Sequence, residues 1–298
     1  MRQQFACLIA LGLGGMLAAP AFGATIYNNL TATNLVAVAT RPASAGAFEI
    51  ETGDDFFLGS QTIINTASFV GLIVPGASGI PSISEVVAEI YRVFPLDSDT
   101  TRTSHVPTRV NSPSDDALAS RDSAASELTF TTSVLSANFT ALNSVQPGGI
   151  HASPSQTTLG NGPLTGQEVQ IDLTLTSPFN LPADHLFFVP QVALSNGAQF
   201  YWLSASRPIS GAGTTPFPAG VTDLQAWTRD SGLDPDWLRV GTDIVGGTTF
   251  NTAFSLQGSA VPEPSTYPVV FAGLLLIGAG RGFAVLRKVA GRSMRCVR

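Results

Sequence analysis

Apolar and polar residues alternate in several short segments of this chain. Between Glu168 and Thr176 every second residue is apolar, namely Val169, Ile171, Leu173 and Leu175. Successive side chains of a β-strand point to opposite faces, so this alternation predicts a strand with one buried and one solvated face. The same period of two recurs at residues 86–94, 127–134 and 250–256.

Two further segments, 186–194 and 200–203, are apolar without a break, which is typical of strands in the middle of a sheet. Pro190 predicts an edge position or a bulge within the first of them, because proline has no N–H for the ladder. No sustained helical periodicity occurs outside the two ends of the chain. We therefore predict a mainly β fold, a single antiparallel β-sandwich of jelly-roll type over residues 24–257.

Three polar stretches rich in small residues interrupt the predicted strands, at residues 96–125, 146–165 and 205–220. Glycine, proline, serine and asparagine favour turns and loops over strands. Long loops on a β scaffold are also where binding sites are most often found. We expect these stretches to lie at the surface.

The N-terminal segment has the layout of a secretory signal peptide. Arg2 precedes an uncharged apolar run from Phe5 to Ala19, and the small residues Ala21 and Gly23 follow it. We therefore predict a signal peptide over residues 1–23. The two cysteines of the chain are Cys7, within this segment, and Cys296, near the C-terminus. The exported part between them is predicted to use neither disulfides nor thiolate chemistry.

The C-terminal segment predicts a membrane span with a basic tail. Residues 267–286 are mostly apolar and would form a helix of about 30 Å, the thickness of the hydrocarbon core of a bilayer. Arg281 lies near the inner end, where its side chain can reach the headgroups. The glycines of the segment disfavour the alternative, a helix buried in a soluble domain. The tail, residues 287–298, is predicted to be cytoplasmic because it carries several cations, among them Arg287, Lys288 and Arg292.

A short motif precedes the predicted span and consists of Pro262, Glu263, Pro264, Ser265 and Thr266. Together with the span, the basic tail and the signal peptide, it resembles the PEP-CTERM sorting signal of exported proteins of Gram-negative bacteria. The resemblance makes residues 258–266 a spacer and sorting motif. It implies an inner-membrane intermediate, processing by an exosortase, and a final location at the cell surface or in the extracellular matrix of a polysaccharide-producing bacterium. It implies no activity for the ectodomain.

The exported part is strongly acidic. Residues 24–266 contain all 21 acidic residues but only 8 of the 15 basic residues, which leaves a formal charge of −13. Such a surface repels the phosphates of nucleic acid and anionic headgroups. The composition therefore excludes a nucleic-acid partner, and it favours cations, basic partners or solubility alone.

Catalytic sequence motifs are absent from the chain. It has no G-x-S-x-G, H-E-x-x-H, C-x-x-C or phosphate-binding loop, and its three histidines, His105, His151 and His185, have no ligand spacing. His185 beside Asp184 is the one local general-base pair, and a surface pair is the alternative interpretation. We therefore predict a protein that is not an enzyme, with a secreted glycan-active hydrolase, acting through two carboxylates, as the alternative.

Two sets of residues are candidates for ligand binding. The spaced acids Asp97 and Asp99 are the candidate calcium site, although the arginines interleaved with the acids of this stretch favour local ion pairs. No other cofactor is predicted. Trp227 and Trp237 flank an acidic segment and are the candidate contacts for a sugar ring, with burial in a core as the alternative. The sequence thus predicts a structural or polysaccharide-interacting ectodomain, and a calcium-dependent carbohydrate-binding module is a further alternative.

Overall fold

The computed structural model describes residues 23–43, 47–76, 79–101, 109–151, 157–231 and 236–262. One compact unit spans Met1–Ser259, and a second unit spans Ala260–Arg298. The predicted signal peptide up to residue 22, the sorting motif beyond Pro262, the predicted span and the basic tail lie outside the described residues. Within the described ranges, no helix is both long and apolar enough to cross a membrane.

The described residues form fifteen strands. In chain order the strands are β1 (Ala24–Asn28), β2 (Ala32–Ala39), β3 (Ile50–Leu58), β4 (Thr62–Ile73), β5 (Ile83–Arg92), β6 (Ala119–Asp122), β7 (Leu128–Ala141), β8 (Asn143–Val145), β9 (Leu164–Leu181), β10 (Asp184–Leu194), β11 (Phe200–Ala205), β12 (Trp227–Asp230), β13 (Leu238–Arg239), β14 (Asn251–Thr252) and β15 (Phe254–Ala260). Helical turns occur at Pro147–Gly149, Ser195–Gly197 and Val240–Val245.

The strands form two sheets. The first has the order β1-β15-β4-β11-β2-β8, with β9 joined to β4, β7 joined to β9, and β14 joined to β11. The second has the order β13-β12-β3-β10-β5-β6. The prediction of a mainly β fold is confirmed. The first sheet is mixed rather than antiparallel, because β2 and β8 pair in parallel, and a jelly-roll order is not shown.

The alternating segment at 168–176 lies in β9, as predicted. Val169 and Ile171 are fully buried, and Leu173 is 1% exposed. The predicted strand is only the middle of an 18-residue strand, which pairs with β4 on one side and with β7 on the other. The period of two therefore identified both the strand and its buried face.

The largest apolar core contains side chains from both sheets. Phe188 of the second sheet packs against Trp202 and Phe254 of the first, with ring centroids 6.0 and 5.4 Å apart. Phe56 of β3 and Phe69 of β4 belong to the same core. Aromatic pairs at these separations add to the free energy gained from burial.

Two further apolar clusters contain side chains of β11 and β10 that point away from this core. One includes Val36, Tyr201 and Leu203 on the first sheet, and the other includes Tyr91 and Phe187 on the second. β10 and β11 are therefore buried on both faces. This burial explains why their sequences are apolar without a break and confirms that they are central strands.

Pro190 does not lie on an edge strand, so that prediction is wrong. β10 lies between β3 and β5 in the second sheet. However, its pairing with β3 ends at Phe188, so at Pro190 the strand is paired only with Ala88 of β5. The carbonyl of Pro190 instead accepts a hydrogen bond from Thr40 Oγ1 at 2.5 Å. A central strand tolerates proline here because one of its two ladders has already ended.

Candidate functional site

The predicted sugar contacts, Trp227 and Trp237, are interior residues. Trp227 is 1% exposed and Trp237 is 3% exposed. The Trp237 indole N–H donates to the carbonyl of Ser114 at 3.0 Å. Stacking on a sugar requires an indole face open to solvent, which neither residue has. The prediction that these rings contact glycan is therefore wrong, and their alternative interpretation as core residues is the correct one.

The predicted calcium ligands, Asp97 and Asp99, each have a local partner. The carboxylate of Asp97 lies 3.7 Å from Nε of Arg92. Asp99 Oδ1 accepts hydrogen bonds from the backbone N–H and the hydroxyl of Thr101 at 2.9 and 2.7 Å, and these bonds lower the pKa of Asp99. Among the described residues, no group of three His, Cys, Asp or Glu side chains is placed to hold a metal ion.

Most of the predicted sorting residues lie outside the described ranges. Pro262 is the last described residue, so Glu263 to Thr266 lie beyond it, as do Arg281, Arg287, Lys288 and Arg292. His105 also lies outside the described part of the chain. The structure gives no account of these residues.

His185 pairs with a carboxylate that the sequence did not suggest. Its Nε2 lies 2.5 Å from Oδ2 of Asp55, whereas the neighbouring Asp184 accepts a hydrogen bond from the backbone N–H of His185 at 2.8 Å. Asp55 is on β3 and His185 on β10, and these strands are adjacent. The buried carboxylate, which also accepts from the N–H of Leu224, fixes the orientation of the imidazole.

Asp55 belongs to a cluster that we call the aspartate centre. It comprises Tyr27, Asp54, Asp55, His185, Arg207, Asp223 and Asn251. Asp54 is completely buried, and its Oδ2 accepts hydrogen bonds from the backbone N–H and hydroxyl of Thr252 at 2.7 and 3.2 Å. Asn251 donates from Nδ2 to Asp223 at 3.1 Å, and Arg207 lies 3.5 Å from Asp223.

The aspartate centre contains more acidic than basic groups. Three carboxyl groups share one guanidinium and one imidazole. Within the described part of the chain, Asp54 Oδ1 and Asp55 Oδ1 have no hydrogen-bond partner. Burial, followed by the charge of Asp55, raises the pKa of Asp54 well above its ordinary value, and burial also raises the pKa of Asp55. The centre can therefore hold a proton on a carboxyl group at a pH where a solvated aspartate is ionised.

An apolar cleft lies beside the aspartate centre. It has a volume of about 240 Å³ and is lined by Ile26, Tyr27, Phe57, Gly59 and residues 215–218. The rings of Phe57 and Phe217 lie 6.2 and 5.6 Å from the ring of His185. The cleft thus joins aromatic side chains to a histidine held by a buried carboxylate, which suits a ligand with a flat apolar face and polar groups at its rim.

A second polar cluster, the glutamate centre, lies on the outer face of the second sheet. It comprises Glu49, Glu51, Glu89, Tyr91 and Arg229. The Arg229 guanidinium donates to both carboxylate oxygens of Glu51, and the Tyr91 hydroxyl donates to Glu51 and lies 3.1 Å from Glu89. Glu51, Tyr91 and Arg229 are each no more than 6% exposed. The centre is therefore an internal ion pair bridged by a tyrosine.

Glu89 is the carboxyl group of this second centre whose pKa is raised most. Burial, followed by the charge of Glu51, raises its pKa from 4.5 to about 7. Arg229 is occupied by Glu51, and its guanidinium carbon also lies 4.4 Å from the centroid of the Trp237 ring. Trp237 thus serves as the packing surface for a buried cation, which explains its interior position.

Both centres depend on acids whose burial the sequence patterns do not predict. Glu51, Asp54 and Asp55 all belong to β3, which was not predicted as a strand. The sequence does contain one signal for them, two consecutive aspartates directly before Phe56 and Phe57. Acids next to large apolar residues are buried only when they have partners, so this pattern indicates a buried polar cluster. No family model, curated protein or solved structure matches this chain.

Proposed function

We propose that this chain is an exported protein, sorted through its C-terminal segment, whose β body has a structural or polysaccharide-interacting role at the cell surface or in the extracellular matrix. The body would be released from a signal peptide at its N-terminus and held in the inner membrane until an exosortase acts at residues 262–266. In this proposal the two sheets act as one sandwich-like body without catalytic activity.

One observation carries the proposal: the folded strands begin and end at the two predicted processing points. β1 begins at Ala24, directly after the predicted signal peptide, and β15 ends at Ala260, two residues before Pro262. These two strands pair with each other, with Ala24 opposite Gly258 and Asn28 opposite Ser255. Removal of either terminal segment would therefore leave the sheet intact, as a body that is processed at both ends requires.

The acidic body and the aromatic cleft support the second part of the proposal. A formal charge of −13 favours a dispersed, hydrated protein and disfavours contact with anionic membranes. The cleft beside the aspartate centre replaces the tryptophans as the candidate polysaccharide contact, because Phe217 and Phe57 are only partly buried. Aromatic rings with open faces are common platforms for the apolar face of a sugar ring.

The sorting assignment is tested in the bacterium that exports the chain. We expect Glu263→Ala to accumulate as a full-length membrane species, whereas the control Gln257→Ala, at an exposed position of β15, is processed as the unaltered chain is. Mass spectrometry of the membrane and extracellular fractions distinguishes the two forms. Normal processing of the Glu263→Ala protein would refute the sorting assignment.

The body is tested on polysaccharide extracted from the same bacterium. We expect saturable retention that Phe217→Ala weakens and that Phe48→Ala, a change at a phenylalanine 44% exposed elsewhere on the surface, leaves unchanged. Equal retention of both variants would exclude the cleft as the contact. Absence of retention for the unaltered protein would leave the structural role alone.

A further inference from the structure

β7 is a long edge strand whose outer edge has no described partner. It spans Leu128–Ala141, 14 residues, and is about 46 Å long at 3.3 Å per residue. Among the described strands it pairs only with β9. The backbone N–H and C=O groups along its outer edge therefore remain available to another strand.

The other edge strands of the two sheets are short or charged. β1 has five residues and β8 has three. β6 has four residues and includes Arg121 and Asp122, and β13 has two residues and includes Arg239. Short length and charge are the usual protections of a sheet edge against pairing with another chain. β7 stands apart because it is 14 residues long and still has no charged residue, no proline and no glycine.

The first half of β7 is the part suited to pairing. From Leu128 to Val134 it pairs with β9 in unbroken register, and shifts of register begin only after Val134. Thr129 and every residue from Thr131 to Leu135 are exposed, and Val134 is 56% exposed. Because side chains of a strand alternate between faces, exposure of consecutive residues means that both faces of this segment are open. The segment thus extends beyond the cores and leaves room for a further strand.

The uncharged composition of this edge suits a second copy of the same chain. Two copies of a body with a formal charge of −13 repel each other over most of their surfaces. The edge from Leu128 to Val134 is uncharged and consists mainly of threonine, serine and apolar residues, so two copies can approach there without pairing like charges. Threonine opposite threonine is also a favourable cross-strand pair.

We propose that β7 pairs edge to edge and antiparallel with β7 of a second copy of this chain, about a two-fold axis perpendicular to the sheet. The first sheets of the two copies then form one continuous sheet. The pairing is isologous, so it produces a closed dimer. This surface is separate from the aromatic cleft, and the proposal does not depend on export or on polysaccharide binding.

Disulfide trapping on the purified full chain in detergent tests this arrangement. Cys7 and Cys296 are replaced by serine, and single cysteines are introduced by Thr129→Cys, Phe130→Cys, Thr131→Cys, Thr132→Cys, Ser133→Cys and Val134→Cys. A perpendicular two-fold axis places one residue of β7 directly opposite its own copy, at a Cα separation of about 5 Å, which a disulfide can bridge. One step along the strand, a residue and its copy are already offset by about 6.6 Å, which is too far for efficient bridging.

We expect a mild oxidant to give one sharp maximum of cross-linked dimer along β7. The matched control is Thr174→Cys, an exposed position on the adjacent strand β9, opposite Thr129. The yield at the maximum should exceed that of the control by about tenfold, since only the edge strand approaches its copy within disulfide distance. A uniform low yield along β7, or a yield equal to that of the control, would overturn the proposal.

Uncrosslinked protein supplies the second measurement. In the chain with its native β7, light scattering should give the mass of a dimer, and Thr131→Lys combined with Ser133→Lys should give that of a monomer, because charge at an edge blocks strand pairing. Thr174→Lys should remain dimeric. A monomer at every concentration for the native β7, or a dimer for the double lysine variant with unchanged circular dichroism, would contradict the assigned edge.

Discussion

Glu89→Gln tests whether the glutamate centre makes the stability of the body depend on pH. The pKa of Glu89 is about 7 in the folded protein and ordinarily 4.5. The folded state therefore retains a proton on Glu89 between these values, where the unfolded chain has released it. Because the folded pKa is the higher one, Glu89 supports folding below about 4.5, and this contribution falls as the pH rises towards about 7.

The size of the effect follows from the two pKa values. The interval between 4.5 and about 7 corresponds to at most ~3 kcal/mol of unfolding free energy, at about 1.4 kcal/mol per pH unit. Glutamine keeps an oxygen near the Tyr91 hydroxyl, and its amide can donate to Glu51, with which Glu89 shares a side-chain hydrogen bond. We therefore expect the variant to be more stable than the unaltered protein by up to ~3 kcal/mol at about pH 8, and to show no such gain at about pH 4.5.

Urea denaturation followed by tryptophan fluorescence measures this difference, because Trp202, Trp227 and Trp237 are all buried. The control is Glu85→Gln on the same strand, which removes the same charge from the molecule. Its pKa is raised by burial, but Glu85 has no contact with Glu51 or Tyr91, so its effect should be smaller. Equal gains for the two variants would indicate a general effect of net charge. Parallel pH profiles for Glu89→Gln and the unaltered protein would refute the reasoning.

Two further predictions concern other parts of the body. Asp54→Asn should raise the urea midpoint at about pH 8 and lose this advantage at about pH 4, because burial raises the pKa of Asp54 and its stabilising proton is lost as the pH rises; an equal midpoint shift at both pH values would contradict it. Gly71→Ala should destabilise the first sheet by about 1–3 kcal/mol in the same assay, because its Cβ would lie 2.2 Å from the ring of Phe200 and 2.5 Å from the carbonyl of Tyr201. Gly148→Ala, whose Cβ meets nothing within 4 Å, is the control and should leave the midpoint unchanged.

The sequence predicted a strand correctly where its apolar pattern was simple, either alternating or continuous. β9 alternates because one of its faces contacts the main core, and β10 and β11 are continuously apolar because both of their faces are covered. β3 obeys neither rule. It is buried along nearly its whole length, yet it contains Glu51, Asp54 and Asp55, whose partners come from β10, β12, β14 and the loop before β12.

Distant partners also explain why Trp227 and Trp237 were wrongly predicted to contact sugar. A tryptophan beside acids and an arginine in a loop-like sequence suggests an exposed aromatic surface. Arg229, however, pairs with Glu51 of a strand 178 residues away, and Trp237 packs beneath its guanidinium. An ion-pair partner that lies far away in the sequence cannot be identified from the sequence alone. The role of a buried cation therefore cannot be assigned until the structure shows which acid it pairs with. The aspartate centre was missed for the same reason.

The pairing of β1 with β15 has a consequence for an exported protein. The first sheet is incomplete until the last strand of the body joins the first one, and the two strands are separated by more than two hundred residues. Closing so long a loop is slow compared with local contacts, and the ladder can form only after both strands are present on the same side of a membrane. In the proposed sorting route, the C-terminal span holds the chain at the membrane beside the segment that arrives last. On that route the body would complete its first sheet next to the membrane before processing of the sorting motif. A chain that lacks β15 should then remain sensitive to protease where the unaltered chain is resistant.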